Sequence, residues 1–386
     1  MPPMLDKLPP IALFGYDSSP FTQKIRLVLK LMQIPYSFVI VPSMMPRPVL
    51  INNFNLTYRK IPVLALGKDV YADTSLIVDV LQDHPTCKQY REHQGGRAPN
   101  EVYPTGKDRV LSRLLSSHVT DRPLFRLTTG LIPSVVWRTS FGTDRAELIG
   151  HQLDPDKLEK KVPKNLAGLD TFLSRVNPLF EELDSNSWIL GGPTPTVADV
   201  SFYYQLEWGE KISRGEGIEN LTGGGTVDGS GKGMQEVFNE QRYPAIWKWF
   251  HRFKEHMEGL PSHETRIEQE DEQGLETLMQ RVEQSPAQEA IWLLPTPRRA
   301  LTQLEERNGL KIGSKVSIYP ADTGRLNPTV GTLIALTPEE AVIEPDKPAV
   351  VGKEGTRARI ENVRLHFPRV EFVISPVKPA NIRSKL

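Results

Sequence analysis

The apolar residues of the first forty positions follow two different periods. Residues 11–14 form a short apolar run between Pro10 and Gly15, which predicts a buried strand. Beyond Pro20 the apolar residues keep the spacing of a helix with one buried face: Phe21, Ile25, Val28, Leu29 and Met32. A second apolar run covers residues 36–41, so the pattern predicts a βαβ unit with parallel strands.

A second block of the same kind completes the N-terminal region. Residues 61–72 have the pattern of two short strands joined by a turn at Gly67. Helical spacing then returns over residues 76–81 and ends at His84-Pro85. The order βαβ followed by ββα is that of a thioredoxin-like domain, which we predict over residues 8–90.

The middle of the chain has a period of three to four throughout. Its apolar repeats include Leu111, Leu114, Leu115, Leu166, Leu169, Phe172, Leu173, Val176, Phe180 and Leu183. Thr196 and Asp199 form a capping-box pattern, in which the two side chains accept hydrogen bonds from backbone N–H groups at a helix start. We predict an all-helical unit over residues 100–260.

The last third of the chain changes period again. Residues 261–309 are predicted as a helical linker. Within it, the acidic stretch from Glu264 to Glu289 is predicted as a surface helix with four residues facing inward: Ile267, Leu275, Leu278 and Val282. Over residues 310–380 the apolar residues alternate with polar ones between Pro and Gly turns, which predicts a small β-rich, barrel-like module. Residues 381–386 are predicted to be a flexible tail.

Composition narrows the classes of function. The 47 Lys and Arg residues balance the 47 Asp and Glu residues, so no global charge indicates nucleic acid or an anionic membrane as a partner. The one cysteine, Cys87, cannot form an internal disulfide, and no Cys/His spacing suggests a metal site. The chain has neither a long apolar span nor a secretory signal pattern, so we expect a small-molecule ligand and no membrane.

The sequence closes with a targeting motif. Ser384, Lys385 and Leu386 are the tripeptide read by the peroxisomal import receptor. Pro376 and Pro379 precede it and disfavour regular secondary structure, so the tail is expected to be flexible enough to bind the receptor. We therefore expect the peroxisomal matrix as the location, with the cytoplasm as the alternative.

The residues that could carry chemistry follow the first predicted strand. In the segment from Gly15 to Phe21 (GYDSSPF), hydroxyl groups stand directly before a helix, where backbone N–H groups and the helix dipole favour negative charge. An anionic sulfur would suit this position. The segment resembles the glutathione transferases, whose first strand ends in a catalytic Tyr, Ser or Cys and whose serine classes carry Ser-Pro-Phe.

The resemblance continues over roughly residues 10–260. Residues 60–64 (KIPVL) are similar to the family's Lys-Ile/Val-Pro segment, Asp73-Thr74 stands where the family has Glu-Ser, and the residues after Thr196 match its helical half. The resemblance implies a thioredoxin-like glutathione-binding domain, then an all-helical domain, with a homodimer as one expected assembly. The remaining residues are similar to extended members of fungal type.

By this resemblance the cofactor is glutathione, used as co-substrate without a metal. Ser19 would donate a hydrogen bond to the glutathione sulfur, with Ser18 and Tyr16 as alternatives. A hydrogen bond to a charged group contributes about 1.5–3 kcal/mol, so Ser19 could lower the thiol pKa by about 1–2 units. Alternatively, all three residues could have only a structural role, in the turn between the first strand and the helix.

The other implied ligands come from two segments. Pro62 corresponds to the family's cis-proline, which would turn the Ile61 backbone toward the tripeptide, and Lys60 could pair with a glutathione carboxylate. Asp73 and Thr74 would address the γ-glutamyl group, although a simple helix cap is the alternative. Asp is shorter than the family's Glu, which leaves the glutathione affinity open.

The second substrate would be a small electrophile, bound against the apolar residues Phe125, Trp137 and Phe141, for which core packing is the alternative. The reaction would be conjugation, isomerisation or hydroperoxide reduction, in detoxification. Two other functions stay open: a non-catalytic scaffold with the same fold, and a step in the biosynthesis of a specialised metabolite.

Overall fold

The computed structural model describes residues 7–92, 101–223, 233–286, 290–296, 298–346 and 360–377. The N-terminal region consists of β1 (Ile11–Gly15), α1 (Pro20–Leu31), β2 (Tyr36–Ile40), α2 (Pro48–Phe54), β3 (Val63–Leu66), β4 (Asp69–Ala72), α3 (Thr74–Asp83) and α4 (Pro85–Glu92). This is the predicted thioredoxin-like order. Pro20 stands at the first position of α1, where a missing N–H costs nothing.

The middle region is helical, as predicted. Its helices are α5 (Gly106–Leu114), α6 (Phe125–Thr129), α7 (Ser140–Ile149), α8 (Pro155–Lys160), α9 (Val162–Val176), α10 (Pro178–Glu181), α11 (Val197–Ser213), α12 (Ile218–Thr222) and α13 (Pro244–Glu258). A π-helical stretch, Leu115–Leu124, joins α5 to α6, and 3₁₀ turns cover Ser134–Arg138 and Gly233–Glu236. The capping box predicted at the start of α11 is confirmed, because Asp199 accepts from Thr196 N at 2.9 Å.

The last region contains β5 (Glu264–Ile267), α14 (Glu272–Glu283), α15 (Thr302–Arg307), β6 (Lys315–Pro320), β7 (Thr329–Leu336), β8 (Glu340–Pro345), β9 (Arg364–Pro368) and β10 (Phe372–Pro376). The prediction of helix from Glu264 onward is wrong for its first residues, which pair in parallel with β2. Glu264 is fixed there by the Arg26 guanidinium, at 2.8 Å from Nε. Such a contact across 238 positions leaves no trace in local periodicity.

The ten strands of the described residues belong to one sheet, in the order β10-β6-β7-β8-β9-β4-β3-β1-β2-β5. The C-terminal strands join the thioredoxin-like strands where β9 pairs in parallel with β4. The predicted β-rich module is therefore present as a sheet that extends the N-terminal one. The domain boundaries given above stay predictions.

The C-terminal strands also curl, as the barrel-like prediction requires. β9 and β10 are not paired, yet the Phe367 and Phe372 rings lie 5.9 Å apart, and Tyr58 packs on both. Tyr58 belongs to the N-terminal region. The strands therefore wrap around the segment that leads from α2 to β3.

Two apolar cores cover the two faces of the sheet. On one face α1 and α3 pack with the helical region around Leu13, Leu64 and Leu76. On the other face α14 and the C-terminal strands pack around Phe14 and Val63. The C-terminal residues thus fill a surface that the thioredoxin-like region would otherwise expose, which ties the two regions thermodynamically.

A buried charged cluster stands at the β4–β9 junction. His366 is fully buried and lies between Asp69, at 3.0 Å from Nε2, and Glu340, at 2.6 Å from Nδ1. Arg364 also contacts Asp69, at 2.6 Å. Although burial works to lower it, the two carboxylates raise the pKa of His366 above its usual value. The cluster pairs charges that a dry interface could not otherwise hold.

A second buried histidine responds to pH in the opposite direction. His84 precedes α4 and accepts a hydrogen bond from Thr86 N at 3.1 Å through Nδ1, so that nitrogen carries no proton. Burial lowers the pKa of His84 to about 4, opposed by Asp69 and reinforced by His366 and Arg364. The folded protein therefore resists protonation of His84.

The two buried histidines together should contribute most to stability near pH 6.5, while Asp79, whose pKa burial raises to about 6, acts against His84 on the acid side. Below pH 6.5, His84 is protonated in the unfolded chain but stays neutral in the folded chain. This difference lowers the free energy of unfolding by about 1.5–2 kcal/mol at pH 5. Above pH 6.5, the stabilisation from protonated His366 is lost as the pH rises through its raised folded pKa. Asp69 has a lowered pKa, so its contribution is lost only at lower pH.

Urea unfolding at pH 5, 6.5 and 8 measures this profile. His84→Asn should flatten the acid limb, while the exposed His251→Asn should leave both limbs unchanged. A stability that rises steadily from pH 6.5 to 8 would contradict the assignment to His366.

Candidate active site

The predicted site residues meet at one end of the sheet. β1 pairs with β3 so that Phe14 lies opposite Val63, and β3 pairs with β4 so that Val63 lies opposite Ala72. The segments that follow β1, precede β3 and follow β4 therefore emerge on the same edge. These segments carry Ser19, Pro62 and Asp73.

Ser19 caps α1 and keeps its hydroxyl hydrogen available. Its Oγ accepts a hydrogen bond from Thr22 N at 3.2 Å, and the side chain is buried. Among the described residues nothing accepts a hydrogen bond from the Ser19 hydroxyl. Because a cap uses only the oxygen as acceptor, Ser19 can cap the helix and still donate to an anion in front of it.

Ser18 is engaged elsewhere. Its hydroxyl donates to Asn220 Oδ1 at 2.7 Å, its N–H donates to the same oxygen at 2.9 Å, and its carbonyl accepts from Trp208 Nε1 at 2.9 Å. The helical region therefore holds residue 18 through three hydrogen bonds. This use of the hydroxyl favours Ser19 over Ser18 as the donor to a ligand.

Tyr16 lies in an apolar cluster between the two regions and touches one cation. Arg145 of α7 donates from Nη2 to the Tyr16 oxygen at 3.3 Å. The same guanidinium lies 4.2 Å from the centre of the Phe141 ring. Arg145 also forms an ion pair with Asp144, so the guanidinium at the edge of the cleft is shared with a carboxylate. The sequence pattern did not single out Arg145.

The apolar cluster contains two of the three predicted pocket residues. Phe141 is buried against Tyr16, with Trp137 packed beside it at 5.9 Å between ring centres. Phe125 contacts the cluster through Trp208, at 6.2 Å between ring centres. Ile61 also packs here, so the cluster joins the cis-proline segment to the helical region.

The Ile61–Pro62 bond is cis, which confirms that prediction. Lys60, the residue before it, is paired with Asp322 of the C-terminal sheet, at 2.6 Å between Nζ and Oδ1. The Lys60 ammonium is therefore held by the protein's own carboxylate. Sequence spacing gives no signal for a partner 262 positions away.

Asp73 is the helix cap that was the alternative to a ligand role. Its Oδ1 accepts from Ser75 N at 3.0 Å and from Ser75 Oγ at 2.7 Å. Its φ of 75° is in the left-handed region, which a non-glycine residue adopts at a cost of about 1–3 kcal/mol, often at functional sites. Asp73 therefore combines a structural contact with an unusual backbone.

Thr74 stands beside a buried cation. Lys24 of α1 donates to Thr74 Oγ1 at 3.4 Å and forms an ion pair with Asp121 at 2.6 Å. Tyr204 donates to the other oxygen of Asp121 at 2.7 Å. These contacts hold the start of α3 against α1 and the helical region. The polar groups that make them lie on helix faces that are otherwise apolar.

A cavity of about 910 Å³ lies elsewhere, between α3, α5 and the C-terminal region. It is lined by Asp79, Arg113 and Glu339 among others, but by none of Ser19, Lys60 or Pro62. Arg113 pairs with both carboxylates, and burial raises the pKa of Asp79 to about 6. We place the candidate site at the sheet edge because the helix start and free hydroxyl are there.

Other reactive groups are sparse in the described part of the chain. Cys87 is buried, and burial raises its pKa to about 12, so it is a structural thiol. The described residues contain no group of three or more His, Cys, Asp or Glu side chains arranged to bind a metal. In the same residues, every helix is too short or too polar to cross a bilayer.

The comparisons with known proteins agree with this geometry. Residues 13–88 match the family described as glutathione S-transferase, N-terminal domain. The chain therefore has a GST-like N-terminal domain. Residues 129–220 match a domain of unknown function, DUF7962. No curated protein matches this GST-like chain.

One similar solved structure shares the fold over almost the whole chain, and two others are similar over its first two regions. A GST-like protein from Pseudomonas syringae is 20% identical, with a TM-score of 0.56, over 96% of this chain and 100% of its own. A glutathione S-transferase from Rhodospirillum rubrum F11 is 17% identical (TM-score 0.43; 63% and 87% covered). One from Methylobacillus flagellatus with glutathione bound is 20% identical (TM-score 0.37; 63% and 93% covered).

Proposed function

We propose that this GST-like chain is an enzyme that binds glutathione at the sheet edge and activates its thiol for attack on a small electrophile. One observation carries the proposal. The start of α1, the Ile61–cis-Pro62 segment and the start of α3 meet at one edge of a glutathione S-transferase N-terminal domain.

Each contact has a chemical role in the proposal. The sulfur would lie in front of α1, where Ser19 donates a hydrogen bond and the helix dipole favours the thiolate. The Arg145 guanidinium, which pairs with Asp144, would lie beside the site on the side of α7. Thr74 and the free N–H groups at the start of α3 would receive the γ-glutamyl carboxylate.

The electrophile would bind against the apolar cluster. Trp137 and Phe141 lie on the helical side of Tyr16, and Ile61 lies on the other side. An apolar surface next to a thiolate favours a hydrophobic electrophile and excludes water, and holding the two reactants together accelerates their reaction. The class of reaction is left open among conjugation, isomerisation and hydroperoxide reduction.

A non-catalytic scaffold is the second candidate, and two contacts favour it. The Asp73 carboxylate accepts a hydrogen bond from Ser75, and the Lys60 ammonium forms an ion pair with Asp322. Both are groups that the family resemblance would give to glutathione. A scaffold of this fold would need neither group free.

Binding and turnover separate the two candidates. In calorimetry with reduced glutathione we expect a dissociation constant at or below about 1 mM, and weaker binding of cysteinylglycine, which lacks the γ-glutamyl group. We also expect conversion of an aromatic halide in the presence of glutathione. No heat of binding up to about 10 mM glutathione would favour the scaffold.

The location is part of the proposal. Ser384, Lys385 and Leu386 lie outside the described residues, and they support the peroxisomal matrix by their sequence alone. An enzyme placed there would meet the electrophiles of that compartment. The import receptor would be its protein partner, and a homodimer stays a prediction.

A further inference from the structure

The loop between β6 and β7, residues 321–328, lies at the same sheet edge as Ser19. β9 is parallel to β4, so the end of β9 emerges beside Asp73. β10 begins at that edge and pairs antiparallel with β6, with Phe372 opposite Pro320. The loop that follows Pro320 therefore starts on the edge of the candidate site.

Three contacts fasten this loop across the site. Gly324 N donates to the carbonyl of Leu148 in α7 at 2.7 Å. Thr57, before β3, donates to the Pro328 carbonyl at 2.8 Å. Ala321 N donates to the Glu371 carbonyl at 2.8 Å, and the Glu371 carboxylate pairs with Arg122 at 2.7 Å. The loop thus bridges the two regions that border the cleft.

The loop also supplies a carboxylate to the site. Asp322 Oδ1 lies 2.6 Å from Lys60 Nζ, and the exposed fractions of their side chains are 54% and 28%. Although burial works against it, Lys60 lowers the pKa of Asp322, so the Asp322 carboxylate is ionised at neutral pH. Because solvent reaches both groups, the pair is weak and can open.

Asp322 and Asp73 both act electrostatically on the Tyr58 phenol. Tyr58 is buried, and burial raises its pKa, with the carboxylates of Asp73 and Asp322 adding to the effect. Both carboxylates therefore lie near one phenol. Of these two carboxylates, Asp322 is the one that pairs with Lys60.

We propose that Asp322 is a built-in competitor for the glutathione carboxylate, and that glutathione binds by displacing it from Lys60. The inference rests on the proposed function, because it concerns the same site. The C-terminal sheet then sets the glutathione affinity of the N-terminal domain. The Asp–Lys pair takes the place that a carboxylate of the tripeptide would occupy.

Calorimetry with reduced glutathione tests the competition. Asp322→Asn should lower the dissociation constant about two- to fivefold, the range expected for opening one exposed ion pair. Asp346→Asn is the matched control, because Asp346 forms the same kind of ion pair with a lysine of the C-terminal sheet, Lys315, and not with Lys60. It should leave the constant unchanged.

A double variant shows whether the gain depends on Lys60. Lys60→Ala should weaken binding, and adding Asp322→Asn to it should give no gain, because no ammonium is left to release. An equal gain with and without Lys60 would overturn the competition, since it would reflect only the removal of a negative charge.

The outcomes separate this inference from the function on which it rests. Equal binding by wild type and Asp322→Asn overturns the competitor and leaves glutathione binding intact. Binding by neither protein overturns the proposed function and the inference together. Binding by Asp322→Asn alone supports both.

Discussion

Replacing His366 by leucine is expected to lower the free energy of unfolding by about 3–5 kcal/mol, the cost of breaking a buried ion pair by removing one partner. His366 and Glu340 are both fully buried. Without the imidazole, the one hydrogen bond to the Glu340 carboxylate from the described residues is that of Leu294 N, at 3.0 Å. Asp69 keeps Arg364, so the cost falls mainly on Glu340.

The loss of stability should be concentrated where β9 of the C-terminal strands pairs with β4 of the N-terminal strands. His366 lies opposite Tyr71 in the β4–β9 pairing, with 4.4 Å between ring centres. Urea unfolding followed by circular dichroism measures the loss. Limited proteolysis should show earlier cleavage in the C-terminal strands than in wild type.

The control replaces both partners. His366→Leu with Glu340→Leu removes the orphaned carboxylate together with its partner, and should recover much of the lost stability because two apolar groups can be buried without charge. If the double variant is as unstable as the single one, packing around His366, and not the charge, accounts for the loss.

Ser19→Ala is expected to lower kcat/KM for glutathione conjugation about tenfold to thirtyfold near pH 6.5, if the proposed function holds. The reason is the loss of one hydrogen bond to the thiolate, which raises the thiol pKa by about 1–2 units. The pH–rate profile should therefore move to higher pH by the same amount. Rates should converge at high pH, where the thiol is ionised without help.

Two matched variants test the assignment. Ser18→Ala should keep its activity within about twofold, because that hydroxyl serves Asn220 and an exposed hydrogen bond contributes little. Tyr16→Phe removes the contact to Arg145 but leaves Ser19 in place. A large loss in Tyr16→Phe with none in Ser19→Ala would show that Tyr16 is the donor. Thermal unfolding checks that the lost cap at Ser19, about 1 kcal/mol, has not unfolded the protein.

Much of the site was predictable because it depends on neighbours in sequence. Ser19 and Pro20 predict a capped helix, and the apolar runs on either side predict the strands that flank it. The resemblance then gave Pro62 its cis bond, which the structure shares. Of the two roles predicted for Asp73, the structure shows the helix cap, and the ligand role stays a prediction.

The rest was not predictable because its partners are far apart in the chain. Nothing local marks Arg145 as a neighbour of Tyr16, or Asn220 as the partner of Ser18. The strand at Glu264 has the composition of a charged surface helix, and only the free edge of β2 makes it a strand. Tertiary pairing overrode a weak local preference there.

The sequence by itself determined the element order of both GST-like regions, the alternating strands near the C-terminus and the capped helix behind Ser19. These depend on residue spacing and on side chains that bond to their own helix ends, which act over a few residues. Only the tertiary structure decided that β9 continues the sheet from β4 and that Asp322 holds Lys60. Those contacts join positions hundreds of residues apart, and they exist only once the two apolar faces of the sheet are buried.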